Sequence, residues 1–400
     1  MGYTDRKAII DKIEELRGSK VITYFITTRP FLNTGMEIRD LREFYKHLER
    51  YKDEKAEKID LIIYSPGGET IVGWALVNLI REFSKKFGVL IPFNAFSCAT
   101  VVSIGSDEIV MGRMGSLGPI DPQVINPFNP EKNNQPIPIS VEDIGGFISL
   151  LRDKFEMRDE DLLAKLSERL ATDIRPLALG YAYRQYIKAR EDARKLLELH
   201  MDAIHEKPKI DKIIETLVEK LYFHLHHINR NEAKDIGLKI KYAEEFTSGS
   251  KDTGNFENLE DLLWNLYLDY EKDLRIHEPY KDELPRTGEI REIPLKFIES
   301  SSLSTQCILE QKWINMDFPE GSYLANVNGA LGVFIPPQFM TVPNPNYMQS
   351  AAYTGIPLQN TQPEKLIQFV GGQIVAIHFQ GAPVYINKEI YEKREVTIWR

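Results

Sequence analysis

Three short pieces of this chain carry residue types that can do chemistry, and they follow one another closely: "SPGG" at Ser65–Gly68, "AFSCAT" at Ala95–Thr100 and "SLGPIDPQ" at Ser116–Gln123. Each stands at the end of an apolar run. Ser97 offers a hydroxyl nucleophile at a strand-to-helix corner. A helix starting at Cys98 would aim its free N–H groups, and the positive end of its dipole, at the same spot. Gly67 and Gly68 carry no β-carbon, so a second backbone N–H can approach a bound group there. Two N–H donors beside a hydroxyl are the parts of an acyl-transfer site, a nucleophile with an oxyanion hole. The same spacing also fits a plain turn at "SPGG" and an N-cap serine at position 97. Both readings stand at this level.

Other candidates are weaker. Ser116, Asp121 and Gly67 would line the crevice beside Ser97 as substrate-binding residues, although Asp121 also reads as an Asp-Pro turn. Asp107-Glu108 resembles a carboxyl pair but precedes a strand, as a polar turn does. His224, His226 and His227 in "HLHH" have no acidic or cysteine partner at ligand spacing, so capping or surface histidines are expected there and no metal site. The glycine pair in "GGQIVAIHFQG" has no helix after it and is not a phosphate loop. The aromatic residues of "LLWNLYLDY" recur at helical spacing, which means packing or, more sharply, a docking helix.

The elements that must position these residues alternate. "KVITYFITT", "IDLIIYS", "GVLIPFNA" and "DEIVMG" are β-branched and apolar, hence strands buried on both faces. Between them, "MEIRDLREFYKHLERY", "ETIVGWALVNLIREFSKKF" and "CATVVSIGS" have helical periodicity. Such alternation predicts a parallel sheet with right-handed crossovers, an α/β fold whose ligands bind at the carboxyl ends of the strands. The segment Asp121–Pro138 is dense in Pro and Asn and reads as a loop. Helices with breaks follow to Ile240. A polar stretch from Glu244 to Asn258 reads as a linker, and beyond the acidic helix after it the chain turns β-rich from Ile290. The expected domains are 1–245, then a linker and acidic helix at 246–289, then a β-rich accessory domain at 290–400.

The 400 residues, 42% hydrophobic and 27% charged with a formal charge of −9, are those of a globular protein and disfavour a nucleic-acid partner. Only Cys98 and Cys307 occur, so a disulfide framework is excluded and a reducing, cytoplasmic location is expected. The charged start lacks an apolar run of signal-peptide length, and no integral membrane segment is expected.

The run from Ile59 to Gln123 resembles the serine-protease branch of the ClpP/crotonase superfamily, close to the serine dehydrogenase proteinase family and related to signal peptide peptidase A. The likeness rests on "LIIYSPGGETIVGWALVNLIREF", "IPFNAFSCATVVSIGSDEIVMG" and "GSLGPIDPQ", and more weakly on "SVEDIGGF", "RPLALGYAYR" and "LHHINRNEAKDIGL". It implies stacked ββα turns with a β-rich C-terminal appendage, a homo-oligomer and a serine endopeptidase acting on peptide or unfolded protein without cofactor or metal. It further implies Ser97 as nucleophile, with the Gly68 and Cys98 amides as oxyanion donors. The departures are specific. With no histidine between His47 and His200, a Clp-type triad is excluded. The peptidase A branch uses a lysine amine, for which Lys165, Lys132 and Lys154 are the candidates. Arg175 stands before "PLALG", where the family often has histidine, and a guanidinium stays protonated. Cys98 and Ala99 replace the alanine and glycine of the usual "SAGT". A non-catalytic scaffold or partner-binding relative is the alternative. Acyl-CoA chemistry is disfavoured by the serine at the corner.

Overall fold

The computed structural model describes residues 2–120, 126–132, 135–137, 139, 141–156, 159–220, 226–249, 257–281, 290–316, 323–327, 330–334, 384–385 and 390–400. Asp121, His224 and the glycine-pair segment 371–381 therefore lie outside the described residues. The chain forms two compact units. The first comprises Met1–Lys281, Pro294–Cys307 and Trp399–Arg400, and the second Asp282–Ile293 and Ile308–Ile398.

In the first unit, α1 (Tyr3–Arg17) leads into β1 (Lys20–Ile26), α2 (Asp40–Leu48), β2 (Ile59–Tyr64), α3 (Thr70–Phe83) and β3 (Phe87–Ile91). Next come β4 (Asn94–Ala95), α4 (Cys98–Ile104), β5 (Glu108–Met111) and β6 (Ser116–Leu117). A hairpin of β7 (Glu131–Lys132) and β8 (Gln135–Pro136) precedes the helices α5 (Val141–Ser149), α6 (Glu160–Asp173), α7 (Pro176–Glu198) and α8 (Lys207–Glu215). Then follow β9 (Ile228–Asn229), α9 (Arg230–Ile236), β10 (Ile240–Tyr242), the short pair β11 (Thr247–Ser248) and β12 (Glu257–Asn258), and α10 (Leu259–Asp273). β13 (Ile290–Ser300) and β14 (Ser304–Met316) enter this unit through Pro294–Cys307. The second unit holds an antiparallel sheet of β15 (Tyr323–Val327), β16 (Ala330–Phe334) and β17 (Val384–Tyr385). The final strand, β18 (Ile390–Trp399), returns Arg400 to Gln306, whose backbones exchange hydrogen bonds of 2.8 and 2.9 Å.

The main sheet runs β10-β5-β3-β2-β1-β13-β14. From β10 to β1 every pairing is parallel, as the alternation predicted, and β13 adds antiparallel to β1. All six residues of β2 and all five of β3 are buried, because helices cover both faces. Alternate residues serve alternate layers. Tyr24, Ile26, Leu61, Ile63, Val89 and Ile91 pack with α2, α3, α4 and α8, whereas Val21, Phe25, Ile62, Leu90 and Val110 pack with α1 and α10. The aromatic stripe of α10 is thus packing: Tyr267 and Tyr270 are fully buried.

A second, smaller sheet explains the stacked-turn architecture. β4 lies parallel to β6, β9 pairs antiparallel to β6, and Ser65 bridges to Ala95. Each repeat therefore places one strand in the main sheet, one extended piece in the small sheet and then a helix: β2, Ser65 and α3, then β3, β4 and α4. The chain bends from one sheet to the other just before each chemistry-bearing motif.

Buried charges tie the layers together. Arg6 of α1 meets Asp269 at 2.9 Å and Asp273 at 2.6 Å on α10, and Glu299 of β13 at 2.8 Å. Arg17 joins Asp60 and Glu108 at the amino ends of β2 and β5. Replacing Arg6 by methionine leaves buried carboxylates uncompensated and should cost about 3–5 kcal/mol of unfolding free energy in urea titration. A loss below roughly 1 kcal/mol would mean that the network contributes no more than an exposed pair.

His47 of α2 is only 1% exposed, its ring nitrogens 3.0 Å from Ser300 Oγ and 3.3 Å from Thr305 Oγ1. Burial, with help from Arg50 and Lys46, lowers its pKa to about 4. The unfolded chain, with an ordinary histidine near 6.5, then binds more protons than the folded one between those values. His47 therefore leaves stability intact above that window and removes it as pH falls from about 6.5 to about 4, by on the order of 3 kcal/mol. Unfolding titrations of wild type and His47→Gln across this window should show the wild type losing the more; parallel curves would refute the assignment.

Candidate active site

β3 ends at Ile91, Pro92-Phe93 redirect the chain into β4, and Phe96-Ser97 form the corner into α4. Ser97 has φ 49° and ψ −110°, outside the ordinary regions for a residue with a side chain. Such backbone costs about 1–3 kcal/mol and persists only where the surroundings hold it. They do. Phe96 N–H donates to Ser65 O at 3.1 Å, Ala99 N–H to Phe96 O at 2.9 Å and Val101 N–H to Ser97 O at 3.1 Å. The Thr100 hydroxyl, 2.9 Å from both Ala95 O and Gly118 O, accepts the Gly118 N–H at 3.1 Å, which latches α4 to the "SLGPIDPQ" loop. A strained serine on a strand-to-helix turn is the device by which a nucleophile's hydroxyl is presented rather than packed away. Ser97 is half-buried, and among the described residues its Oγ has no hydrogen-bond partner.

The glycine turn lies directly against it. A β-carbon on Gly67 would stand 2.9 Å from Ser97 Cβ and 3.4 Å from its Oγ, with φ +111°. On Gly68, at φ +148°, it would stand 2.3 Å from both N and O of Met36. Both glycines are thus obligatory, for different neighbours. The Gly67 N–H is engaged by Ser65 Oγ at 3.0 Å, and the Gly67 carbonyl accepts the Met36 N–H at 2.7 Å. In a trans peptide the carbonyl and the next N–H point in opposite directions, so the Gly68 N–H faces away from Met36. Among the described residues neither this amide nor that of Cys98 has an acceptor. An electron-rich oxygen is what two such donors can take up.

Cys98 is no rival nucleophile. It is 1% exposed, burial pushes its thiol up to about 12, and its Sγ donates to Glu69 O at 3.1 Å. Ser116 is buried, with Oγ 3.4 Å from His227 Nδ1, and the His227 ring stands edge-on to Phe96 at 4.8 Å between centroids. The sequence placed His227 in a histidine run without a role; the antiparallel pairing of β9 with β6 brings it to the Ser97 corner, a pairing no local motif announces. His226 instead pairs with Glu232 at 2.8 Å. Lys154 and Lys165 are exposed, on the turn after α5 and on α6, and the Lys132 side chain lies outside what is described. Arg175 is exposed at the start of α7. Asp107 accepts from Phe87 N–H at 2.7 Å and Glu108 joins Arg17, Lys58 and Lys241, so that pair belongs to the opposite end of the sheet. Among the described residues no three His, Cys, Asp or Glu side chains converge as metal ligands.

Residues 2–132 match the family model described as ClpP-like SDH-type serine proteinase. Two proteins of Methanocaldococcus jannaschii, the uncharacterized proteins MJ1495 and MJ0137, are 29% and 27% identical over 125 residues, 30% of this chain. The chain spans less than half of those relatives, 42% and 43%. Among solved structures, a serine-to-alanine variant of the 1510-N membrane-bound stomatin-specific protease matches over 60% of this chain and 89% of that one, at 13% identity and a TM-score of 0.32. A lysine-to-alanine variant of it, in complex with a substrate peptide, matches over 60% and 87%, at 13% identity and a TM-score of 0.33. A likeness that loose decides nothing about the site. Over residues 2–132, then, the chain is similar to the ClpP-like SDH-type serine proteinases.

Proposed function

We propose that this protein is a serine endopeptidase that cleaves peptide bonds of extended or unfolded chains through an acyl-enzyme on Ser97. The observation that carries the reading is a strained, half-buried serine against a glycine turn, with two amides that lack an acceptor among the described residues. Ser97 Oγ attacks the carbonyl carbon and yields its proton to a base. The Gly68 and Cys98 N–H groups hold the oxyanion. Collapse expels the amine, which takes the proton from the base, and water then releases the acid and regenerates the hydroxyl. Ser116 and Asp121 would flank the peptide. Free, buried Cys98 and Cys307 accord with a cytoplasmic setting, and the family resemblance with a homo-oligomer.

The base in this reading is a lysine from the segment that carries Lys132, Lys154 and Lys165, brought to Ser97 with substrate and made neutral by burial there. The contact of His227 with Ser116 and Phe96 favours a second reading, with His227 as base. The two are told apart by which substitution, His227→Gln or one of the lysine-to-alanine variants, removes the base limb of the labelling-rate profile against pH.

A fluorophosphonate probe should label folded wild-type protein on Ser97, and Ser97→Ala should lower peptide hydrolysis by at least about 10³-fold. Folded protein that resists the probe would instead make the chain a non-catalytic relative. Lys132→Ala, Lys154→Ala, Lys165→Ala and His227→Gln, compared by labelling rate against pH, identify the base. Gly67→Ala should slow labelling by more than about 10²-fold, since its methyl meets the Ser97 side chain, with a stability cost of about 1–3 kcal/mol from the positive φ. Unchanged labelling in that variant would separate the glycine turn from the reaction.

A further inference from the structure

Among the described residues Lys296 is the one lysine of the largest fully buried side chains, 0% exposed, and its contacts lie on the segment that follows Met36. Its Nζ stands 2.9 and 3.1 Å from the two carboxylate oxygens of Asp40, itself 0% exposed, and 3.4 Å from Glu37 Oε2. The ammonium thus donates to both Asp40 oxygens and has Glu37 as a further ion-pair partner. The same Asp40 oxygen accepts the Glu37 N–H at 2.9 Å and the Tyr24 hydroxyl. Burial lifts the Asp40 carboxyl above its ordinary value, and Lys296 and Tyr24 hold it down.

Glu37 follows Met36, and Met36 is the residue on which the glycine turn rests. Met36 N–H donates to Gly67 O at 2.7 Å and Glu69 N–H donates to Met36 O at 2.9 Å, two bonds that bracket Gly68. Because the Gly67 carbonyl and the Gly68 N–H share one rigid peptide plane, the direction of the Gly68 N–H is set by where Met36 stands. Met36 is held from behind by the Asp40 cap on Glu37, and Asp40 by Lys296. Burying an ammonium and two carboxylates is costly, and an apolar set of similar volume would fill the space as well. What the ion pair adds is direction.

We propose that Lys296, acting through Asp40, is a positioning residue that fixes the Gly68 amide for oxyanion binding. The catalytic half of this proposal rests on the peptidase reading above; the structural half rests on the backbone contacts alone.

The test compares Lys296→Met and Tyr24→Phe with Tyr270→Phe. Tyr24 and Tyr270 are both fully buried and each donates its hydroxyl to a buried carboxylate, but Tyr270 bonds Glu299, on the face away from Met36. Tyr24→Phe removes a single hydroxyl and guards against Lys296→Met failing to fold. Amide hydrogen exchange at Met36 and Glu69 should accelerate at least about tenfold in Lys296→Met and several-fold in Tyr24→Phe, and not in Tyr270→Phe. With a peptide ester, kcat should fall about 10–100-fold in Lys296→Met with KM within about twofold, as expected of a misdirected transition-state contact. Unchanged exchange in Lys296→Met and Tyr24→Phe overturns the proposal whatever the activity. Accelerated exchange with kcat no lower than in Tyr270→Phe overturns its catalytic half. Accelerated exchange in a wild-type protein that no probe labels removes the peptidase reading and leaves the positioning contact standing.

Discussion

Two stretches of backbone pass each other at Met36 and Gly68 with no side chain between them. A β-carbon on Gly68 would lie 2.3 Å from Met36 N and O, and one on Gly35 would lie 2.9 Å from Gly67 O. Everything at the serine corner follows from that approach. Only because the loop after β1 comes so near can it take the Gly67 carbonyl and the Glu69 N–H, and only because those are taken is the Gly68 N–H turned outward. Ser65 adds the last restraint by holding the Gly67 N–H. The turn is therefore rigid where its amide must point, and open only at that amide.

The sheet supplies the distances. Parallel pairing of β1, β2 and β3 brings their carboxyl ends to one edge, so the loops carrying Met36, Gly68 and Ser97 become neighbours although two crossovers separate them in sequence. The small sheet then turns each chain segment out of the main sheet at the same level, with Ser65 bridged to Ala95. The strain at Ser97 is shared among the Phe96, Ala99, Val101 and Thr100 hydrogen bonds, none of which involves the hydroxyl itself.

Much of this was readable in the residues. Continuous apolar runs such as "IDLIIY" marked strands buried on both faces, and the glycine pair and the serine before a short helix marked the corner. What the sequence concealed has a common cause. Lys296 and Glu299 sit in a run, "IPLKFIES", in which no local motif marks either charge as buried, yet both are 0% exposed because each meets an opposite charge far away in sequence. Buried charge inverts the alternation signal on which strand reading depends. In α10 the aromatic stripe read as packing does line the core, but the acidic residues gave no sign that Asp269 faces Arg6. His227 was hidden differently, since its place depends on strand pairing across a long connection.

These charges also explain how β13 finds its register. It lies antiparallel on β1 with Ile26 opposite Lys296 and Thr23 opposite Glu299. Residues three apart on a strand point to opposite faces, so Lys296 reaches Asp40 on the α2 side while Glu299 reaches Arg6 on the side of α1 and α10. A slip of one residue would send each to the other face. Lys296 would then lose Asp40 and Glu299 would lose Arg6, each left buried on the wrong face without its counterion. At about 3–5 kcal/mol for each buried charge left uncompensated, the slipped pairing is far less stable than the native one, even though its apolar contacts could be similar. β1 and β13 lie more than 250 residues apart in sequence, so no short turn joins them to set their alignment. Here opposite charges on opposite faces do so, and the alignment they select is the one that brings Lys296 to Asp40, beside the segment on which the glycine turn rests.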